Sequence, residues 1–290
     1  LEDASEKPAT SLEQLLQGQA SGVQITSNTG APGGGITFSI RGVTSISGSN
    51  QPLIVVDGYP IESDNGGVKV SSGSQSGYLD KLPDDNALAN LDPANIASVE
   101  ILKDASATAI YGSRGSNGVV LITTKHGKAG RDRLSYNFRF DVSAIPKKIQ
   151  MLNTNDYFDY SNQAYLNSGQ DSAFTSDAIA KYAGVNTNWQ DLIYRTARSQ
   201  SHQLGLSGGD DKFKYSVNIG YLSQEGIVKN SRYDRGSILV NLDREVSKKF
   251  KFGVSVNGSM SKNKAAMQSS DRNDPSTSVV YGALLSKPLG

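Results

Sequence analysis

LKDASATAIYGSRGSNGVVLITT, residues 102–124, sets a short helix, a glycine-rich turn and a strand in succession. Asp104 stands at the N-cap position, where a carboxylate accepts from the free amides of the first helical turn. Ala105 to Tyr111 are mostly good helix formers. Gly112 falls where a helix end calls for positive φ, and Gly115 and Gly118 let the backbone turn sharply. The β-branched run Val119–Thr124 reads as a buried strand. The glycines are spaced GxxGxxG, which is neither the dinucleotide nor the P-loop pattern. They also follow a helix and precede a strand, the reverse of what a phosphate cradle needs. The stretch reads as a tight turn in a scaffold.

The chain has 290 residues, enough for two domains and a sizeable core. Lys and Arg number 29 and Asp and Glu 28, so no net field draws it to nucleic acid. Without cysteine, neither disulfides nor thiolate metal sites form. The two histidines, His126 and His202, lie on separate segments and read as surface residues. No metal site, cofactor or catalytic residue is expected. No signal peptide is visible and no run of 18 apolar residues exists, so a transmembrane helix is not expected. A transmembrane β-barrel shows only alternation, a weaker signal per segment, and is not excluded by this.

Composition changes near the polar stretch GKAGRDR at 127–133. Residues 1–127 read as an α+β domain, 128–133 as a linker and 134–290 as a strand-rich region. In the first domain Ser11 and Gln14 form a capping box before a short amphipathic helix. Val23–Ile25, Thr37–Arg41, Leu53–Val56 and Ala97–Leu102 read as strands. Asp57-Gly58 after a strand is a turn signal, and Asp92-Pro93 is an N-cap followed by proline at the first helical position. Glu62–Asn86 is long and Ser/Gly-rich, either a functional loop or a poorly ordered one.

The second region has period 2. Leu134, Tyr136, Phe138, Phe140 and Val142 share one face of a strand, and Ser135, Asn137, Arg139 and Asp141 the other. The same alternation runs through Lys212–Gln224, Gly236–Val246 and Lys249–Ser261, with a shorter strand at His202, Leu204 and Leu206. Ser207–Asp211 and Ser247-Lys248 are tight turns, whereas 144–200, 225–234 and 263–275 are long connections. Short and long connections alternate as in outer-membrane barrels, and Tyr136, Tyr215, Tyr221 and Phe250 stand near strand ends as interfacial aromatics do. A soluble β-sandwich also alternates, so both architectures satisfy the pattern.

Four stretches carry a family resemblance: SLEQLLQGQASGVQI (11–25), FSIRGVTSISGSNQPLIVVDGYPI (38–61), LDPANIASVEILKDASATAIYGSRGSNGVVLITTKHGK (91–128) and NTNWQDLIYRTARSQSHQLGLSGG (186–209). With them the chain resembles the plug domain and first barrel strands of a SusC/RagA-type TonB-dependent outer-membrane transporter. The resemblance implies an α+β plug domain followed by antiparallel transmembrane β-barrel strands, the front part of a roughly 22-stranded plugged barrel. Five strands cannot close a barrel, because an open edge in lipid leaves backbone groups unpaired. The resemblance further implies the outer membrane of a Gram-negative bacterium, with the lipid bilayer around the wall. It implies energised import of oligosaccharides or oligopeptides with a SusD-like surface lipoprotein and TonB. A siderophore or vitamin receptor and a non-transporting surface protein are the competing readings.

Site residues follow from the same resemblance. Arg41 and Lys103 follow plug strands, where related transporters use basic residues to contact barrel carboxylates. Gly42, Asp57, Gly58, Asp104, Tyr111, Gly112, Arg114, Gly115 and Gly118 are the plug motif residues. In the long polar loop Tyr78, Asp80 and Asn86 are candidates to face substrate, Tyr78 by stacking on a sugar. Asp84, Asp85 and Asn86 offer three oxygens in a row but not a calcium-loop spacing. Trp189 and Tyr194 read as packing a short helix.

Overall fold

A computed structural model describes residues 23–27, 30–34, 36–40, 42, 52–61, 91–264 and 278–289. The capping-box helix, Arg41, and the loop bearing Tyr78, Asp80, Asp84, Asp85 and Asn86 lie outside the described residues. The chain forms two compact units. One draws on the described residues of Leu1–Asp141, Ser199–Glu225 and Arg232–Lys264, and the other on those of Val142–Arg198, Gly226–Ser231 and Ala265–Gly290.

In the first unit β1 (Val23–Ser27) pairs antiparallel with β2 (Ile36–Ile40). A mixed sheet joins β3 (Leu53–Val56), β4 (Tyr59–Ile61), β5 (Ile96–Leu102) and β6 (Val119–Thr124) in the order β4-β3-β6-β5. β3 and β6 run parallel, while β3–β4 and β5–β6 are antiparallel. Ile25, Ile40, Ile54, Val56, Ile96, Val99, Val120 and Ile122 form one core. The β3–β4 turn has positive φ at both central residues, 49° at Asp57 and 87° at Gly58, as a type I′ hairpin requires.

The opening stretch is more tightly wound than its composition predicts. α1 (Ala105–Thr108) is one turn, followed by a 3-10 segment over Ala109–Gly115. Asp104 is the N-cap, but its carboxylate makes no capping hydrogen bond. Its backbone carbonyl instead accepts from the amides of Ala107 and Thr108, both at 3.0 Å, and closes the single turn. Gly112 interrupts the 3-10 segment with φ 60° and ψ −146°. Gly115 serves by size rather than by φ, since a Cβ there would lie 2.9 Å from the Thr108 carbonyl oxygen. Gly118 needs both properties: its φ is 93° and a Cβ would meet Ile40 Cδ1 at 2.8 Å.

Also in this unit is most of a five-stranded wall, β7 (Gly130–Ser143), β8 (Ala197–Gly209), β9 (Phe213–Glu225), β10 (Arg232–Ser247) and β11 (Phe250–Lys264), ordered β11-β10-β9-β8-β7. The strands are longer than their alternation. β7 begins at Gly130, so residues 130–133 of the stretch read as a linker are strand. β8 spans 13 residues, because Ser and Gly at its ends pair with β9 without offering an apolar face. The β9–β10 connection consequently shrinks to six residues, 226–231.

The two faces of this wall decide its class. On β10, Tyr233, Arg235, Ser237, Leu239 and Asn241 are buried, while the alternating Ile238 is 42% exposed. Phe138 on β7 is 55% exposed, and Phe252, Val254 and Val256 of β11 are exposed as well. On β10 the polar phase is therefore covered by the N-terminal domain and the apolar phase is left open, while on β7 and β11 both phases are largely exposed. A soluble sandwich buries the apolar phase, whereas a transmembrane wall turns it outward. No helix among the described residues is long and apolar enough to cross a membrane.

The second unit holds α2 (Thr154–Asn167), α3 (Ser176–Lys181), α4 (Trp189–Ile193) and α5 (Val279–Leu285). Asn153, Thr175, Asn188 and Ser278 cap these helices through their side chains. Trp189 does pack the short helix α4, donating from Nε1 to the Lys287 carbonyl at 2.7 Å. The neighbouring connection is tied in by Arg195, whose guanidinium donates to the carbonyls of Gly226 and Ser231 at 3.0 and 2.9 Å.

A charge on the outward phase tests this wall. In the full-length protein, Ile238→Arg is expected to cost about 2–4 kcal/mol if that position lies near the bilayer midplane. Asn257→Arg, exposed on the polar phase of β11, is expected to be tolerated. Urea unfolding in lipid vesicles measures both, and equal tolerance would contradict a lipid-facing wall.

Candidate functional site: a polar seam between the N-terminal domain and the wall

Asp92 ends the chain's approach to a 3-10 turn (Pro93–Asn95) and caps it, with Oδ1 accepting from the Ala94 amide at 3.0 Å. The Asp-Pro signal thus produces one 3-10 turn rather than a longer helix. The same carboxylate reaches the wall. Its Oδ2 accepts from Ser237 Oγ at 2.7 Å and from Gln203 Nε2 at 2.8 Å. Arg235 Nη2 stands 3.4 Å from Oδ1, and Arg235 Nη1 donates to the Leu91 carbonyl at 3.2 Å. Both side chains are nearly enclosed, Asp92 at 3% exposure and Arg235 at 4%. Gly220 of β9 makes the space: a Cβ there would overlap Asp92 Oδ2 and lie 2.5 Å from Ser237 Oγ.

A second contact begins at the β3–β4 turn. The Asp57 carboxylate accepts from the Thr124 amide at 2.8 Å and from Thr124 Oγ1 at 2.7 Å. Asn241 Nδ2 of β10 in turn donates to Thr124 Oγ1 at 3.1 Å and to the Lys125 carbonyl at 2.9 Å. Asn241 and Thr124 are fully buried. The turn, the last strand of the N-terminal domain and the wall are thereby joined in one relay. At the exposed edge of the seam His126 Nδ1 lies 3.0 Å from Asp243 Oδ2. Gly127 follows, and a Cβ on it would lie 2.5 Å from the Tyr215 amide nitrogen.

Burial pushes the half-buried Lys125 ammonium below the ordinary lysine pKa, and the nearby Asp92 carboxylate opposes that shift in part. The charged form is penalised in the fold. The penalty is complete at neutral pH and fades as the solution approaches the ordinary value of about 10.4.

The other anticipated site residues fall elsewhere. Lys103 is exposed at the end of β5, and Arg114 is exposed in the 3-10 segment. Tyr111 is half-buried and Gly112 exposed. Gly42 is exposed with φ 84°, and Ser39 Oγ donates to its carbonyl at 3.0 Å. Of the motif residues, Asp57 belongs to the seam through its side chain. Asp92, Thr124, Gln203, Arg235, Ser237 and Asn241 were not singled out as contacts. The available signal was an arginine, a serine and an asparagine in the polar phase of β10, but nothing in the sequence names the partner they meet.

The seam is made of hydrogen bonds and one ion pair. Each net hydrogen bond contributes on the order of 0.5–1.5 kcal/mol, because water replaces it when it opens. An arrangement of this kind holds a domain in register yet exposes few apolar groups on separation. Among the described residues no group of three His, Asp or Glu side chains is placed to hold a metal ion.

Comparison with known proteins places these features in context. Residues 1–119 match the family model of the TonB-dependent receptor plug domain. Over 243 residues the chain is 40% identical to the TonB-dependent receptor SusC of Bacteroides thetaiotaomicron, covering 83% of this chain and 22% of that protein. It is likewise 40% identical over 255 residues to TonB-dependent receptor P3 of Formosa agariphila, covering 88% of this chain and 22% of that one. The chain therefore spans about a fifth of the length of these curated relatives. Among solved structures the RagAB peptide transporter aligns with a TM-score of 0.75 at 25% identity, over 96% of this chain and 32% of that chain. A ferric enterobactin receptor of Pseudomonas aeruginosa aligns at 0.55 with 16% identity, over 98% of this chain and 35% of that one, and shares the fold.

Two predictions follow from the seam geometry. Asp92→Ala leaves Arg235 buried without its carboxylate and is expected to loosen the seam by about 3–5 kcal/mol. Pairing it with Arg235→Met is expected to recover part of this, read as restored hydrogen-exchange protection at residues 91–95. Lys125→Met is expected to stabilise the N-terminal domain at neutral pH, with an advantage that shrinks as pH rises toward about 10.4. Denaturant unfolding across pH measures it, and an advantage growing with pH contradicts the burial penalty.

Proposed function

Because the chain belongs to the SusC/RagA-type TonB-dependent receptors, whose plug domain and first wall strands it supplies, we propose that it serves energised import of nutrient oligomers across an outer membrane. The plug is residues 1–127 and the wall begins in the segment 128–133. The wall surrounds the plug in lipid, and a SusD-like surface lipoprotein delivers an oligosaccharide or oligopeptide from outside. TonB, powered by the proton gradient of the inner membrane, pulls the plug and opens a path. No covalent step is involved.

The observation that carries this reading is the inversion of strand β10, with its polar phase covered by the plug and its apolar phase open. Import by this route needs a plug that seals at rest and yields to a modest pull. The polar seam supports that, since Asp92–Arg235 and Asp57–Thr124–Asn241 exchange for water on separation. The SusC branch is favoured over siderophore receptors because sequence identity reaches 40% with SusC and 16% with the enterobactin receptor.

The test is uptake of labelled oligosaccharides and oligopeptides by cells expressing the full-length receptor with its neighbouring lipoprotein. Accumulation is expected only with an intact proton gradient and TonB. Uptake that persists unchanged after the gradient is collapsed would overturn the proposal. Asp92→Ala is expected to raise passive entry of a large antibiotic in the same cells.

A further inference from the structure

Beside the seam, between the end of β6 and the polar phase of β7, β8 and β9, lies a cavity of about 920 Å³. Its lining has a one-sided charge. Lys125, Lys128, Arg131 and Arg133 line it together with His126, and among the described residues no Asp or Glu does. The acids around it already hold partners: Asp132 accepts from Tyr215 Oη at 2.6 Å, Asp243 meets the lining His126, and Asp92 meets Arg235 and acts on Lys125. Lys128, Arg131 and Arg133 have no ion pair among the described residues and are exposed to the space.

The placement is a consequence of strand phase. Leu134, Tyr136 and Phe138 point outward on β7, so Arg131, Arg133, Ser135 and Asn137 line the covered side. Plug and wall each supply cations, Lys125 and Lys128 before the strand and the two arginines within it. Ser216 and Asn218 of β9 add neutral hydrogen-bonding groups, and among the described residues no Phe, Tyr or Trp lines it. A cleft walled by one sign of charge focuses its field and concentrates counter-charged ligands. Guanidinium groups match carboxylates in geometry as well as charge.

We propose that this cavity is a carboxylate-binding station on the import path, so that the transported oligomer is an acidic one. The proposal rests on the import reading and adds to it a substrate class. A carboxylate on the oligomer meets Arg131 and Arg133, which have no ion pair among the described residues, and Lys128 holds it from the segment before the strand. Uronate sugars and acidic peptides carry the same group and are separated by experiment.

The test uses the purified full-length receptor in detergent, titrated calorimetrically with hexagalacturonate and with hexaglutamate. Maltohexaose and hexaglycine serve as neutral counterparts. At about 50 mM salt the acidic probes are expected to bind, and Arg131→Gln with Arg133→Gln to weaken them about tenfold, an effect that fades near 0.5 M. A response from only one acidic probe assigns the carboxylate to sugar or to peptide. Lys128→Gln gives a second, milder variant should the double substitution fail to assemble. Unchanged binding in an assembled variant, or equal binding of neutral probes, overturns the station. Energised uptake of a neutral oligomer without acidic binding defeats the station and keeps the import reading. Acidic binding without any TonB-dependent uptake does the opposite.

Discussion

The ion pair between Asp92 and Arg235 is the constraint around which the N-terminal domain and the wall are arranged. A carboxylate at 3% exposure and a guanidinium at 4% are costly to bury unless each finds a partner and further hydrogen bonds. Both do. Asp92 is bonded by Ala94, Ser237 and Gln203, and Arg235 by the Leu91 carbonyl. The pair fixes where the 3-10 turn meets β9 and β10, and it needs a glycine at 220 to approach at all. From that point β5 leads away from the seam, and β6 returns to it at Thr124 and Asn241.

The remainder of the wall follows from which phase the plug covers. With Arg235, Ser237 and Asn241 turned inward, Ile238 and its neighbours must turn outward, because successive side chains alternate. Registry then carries the phase across the sheet: Val240 opposes Val217 on one side and Val256 on the other. Lipid satisfies such a surface and water does not. The plug meets the opposite side of β9 and β10 through polar contacts. The core itself, around Ile54, Val120 and Ile122, lies within the plug and is not shared with the wall strands.

Much of this was legible from residues 102–124 outward. The glycines at 112 and 118 do take positive φ, and Asp57-Gly58 does form the hairpin turn. The strand phases of β7, β9, β10 and β11 agree with their alternation. Less legible were features that depend on distant partners. Asp104 stands at the N-cap without a capping bond from its carboxylate, and Gly115 is small because Thr108 lies against it. β8 was read short because Ser and Gly do not advertise a face. The site residues were hardest to read, since Asp92 and Arg235 meet across 143 residues of chain and nothing local marks either as the other's partner.

Sequence alone determined local geometry: periods of two, turn residues, caps and the near-neutral sum of charges, all set by neighbours along the chain. Tertiary structure decided which face of each strand is inside and which charges stand together. A net charge of +1 hides a cavity lined by Lys125, Lys128, Arg131 and Arg133 with no Asp or Glu in its lining among the described residues. The physical reason is range. Backbone preferences act over a few residues, whereas burial and Coulomb pairing join residues 92 and 235, whose separation along the chain carries no signal of their contact.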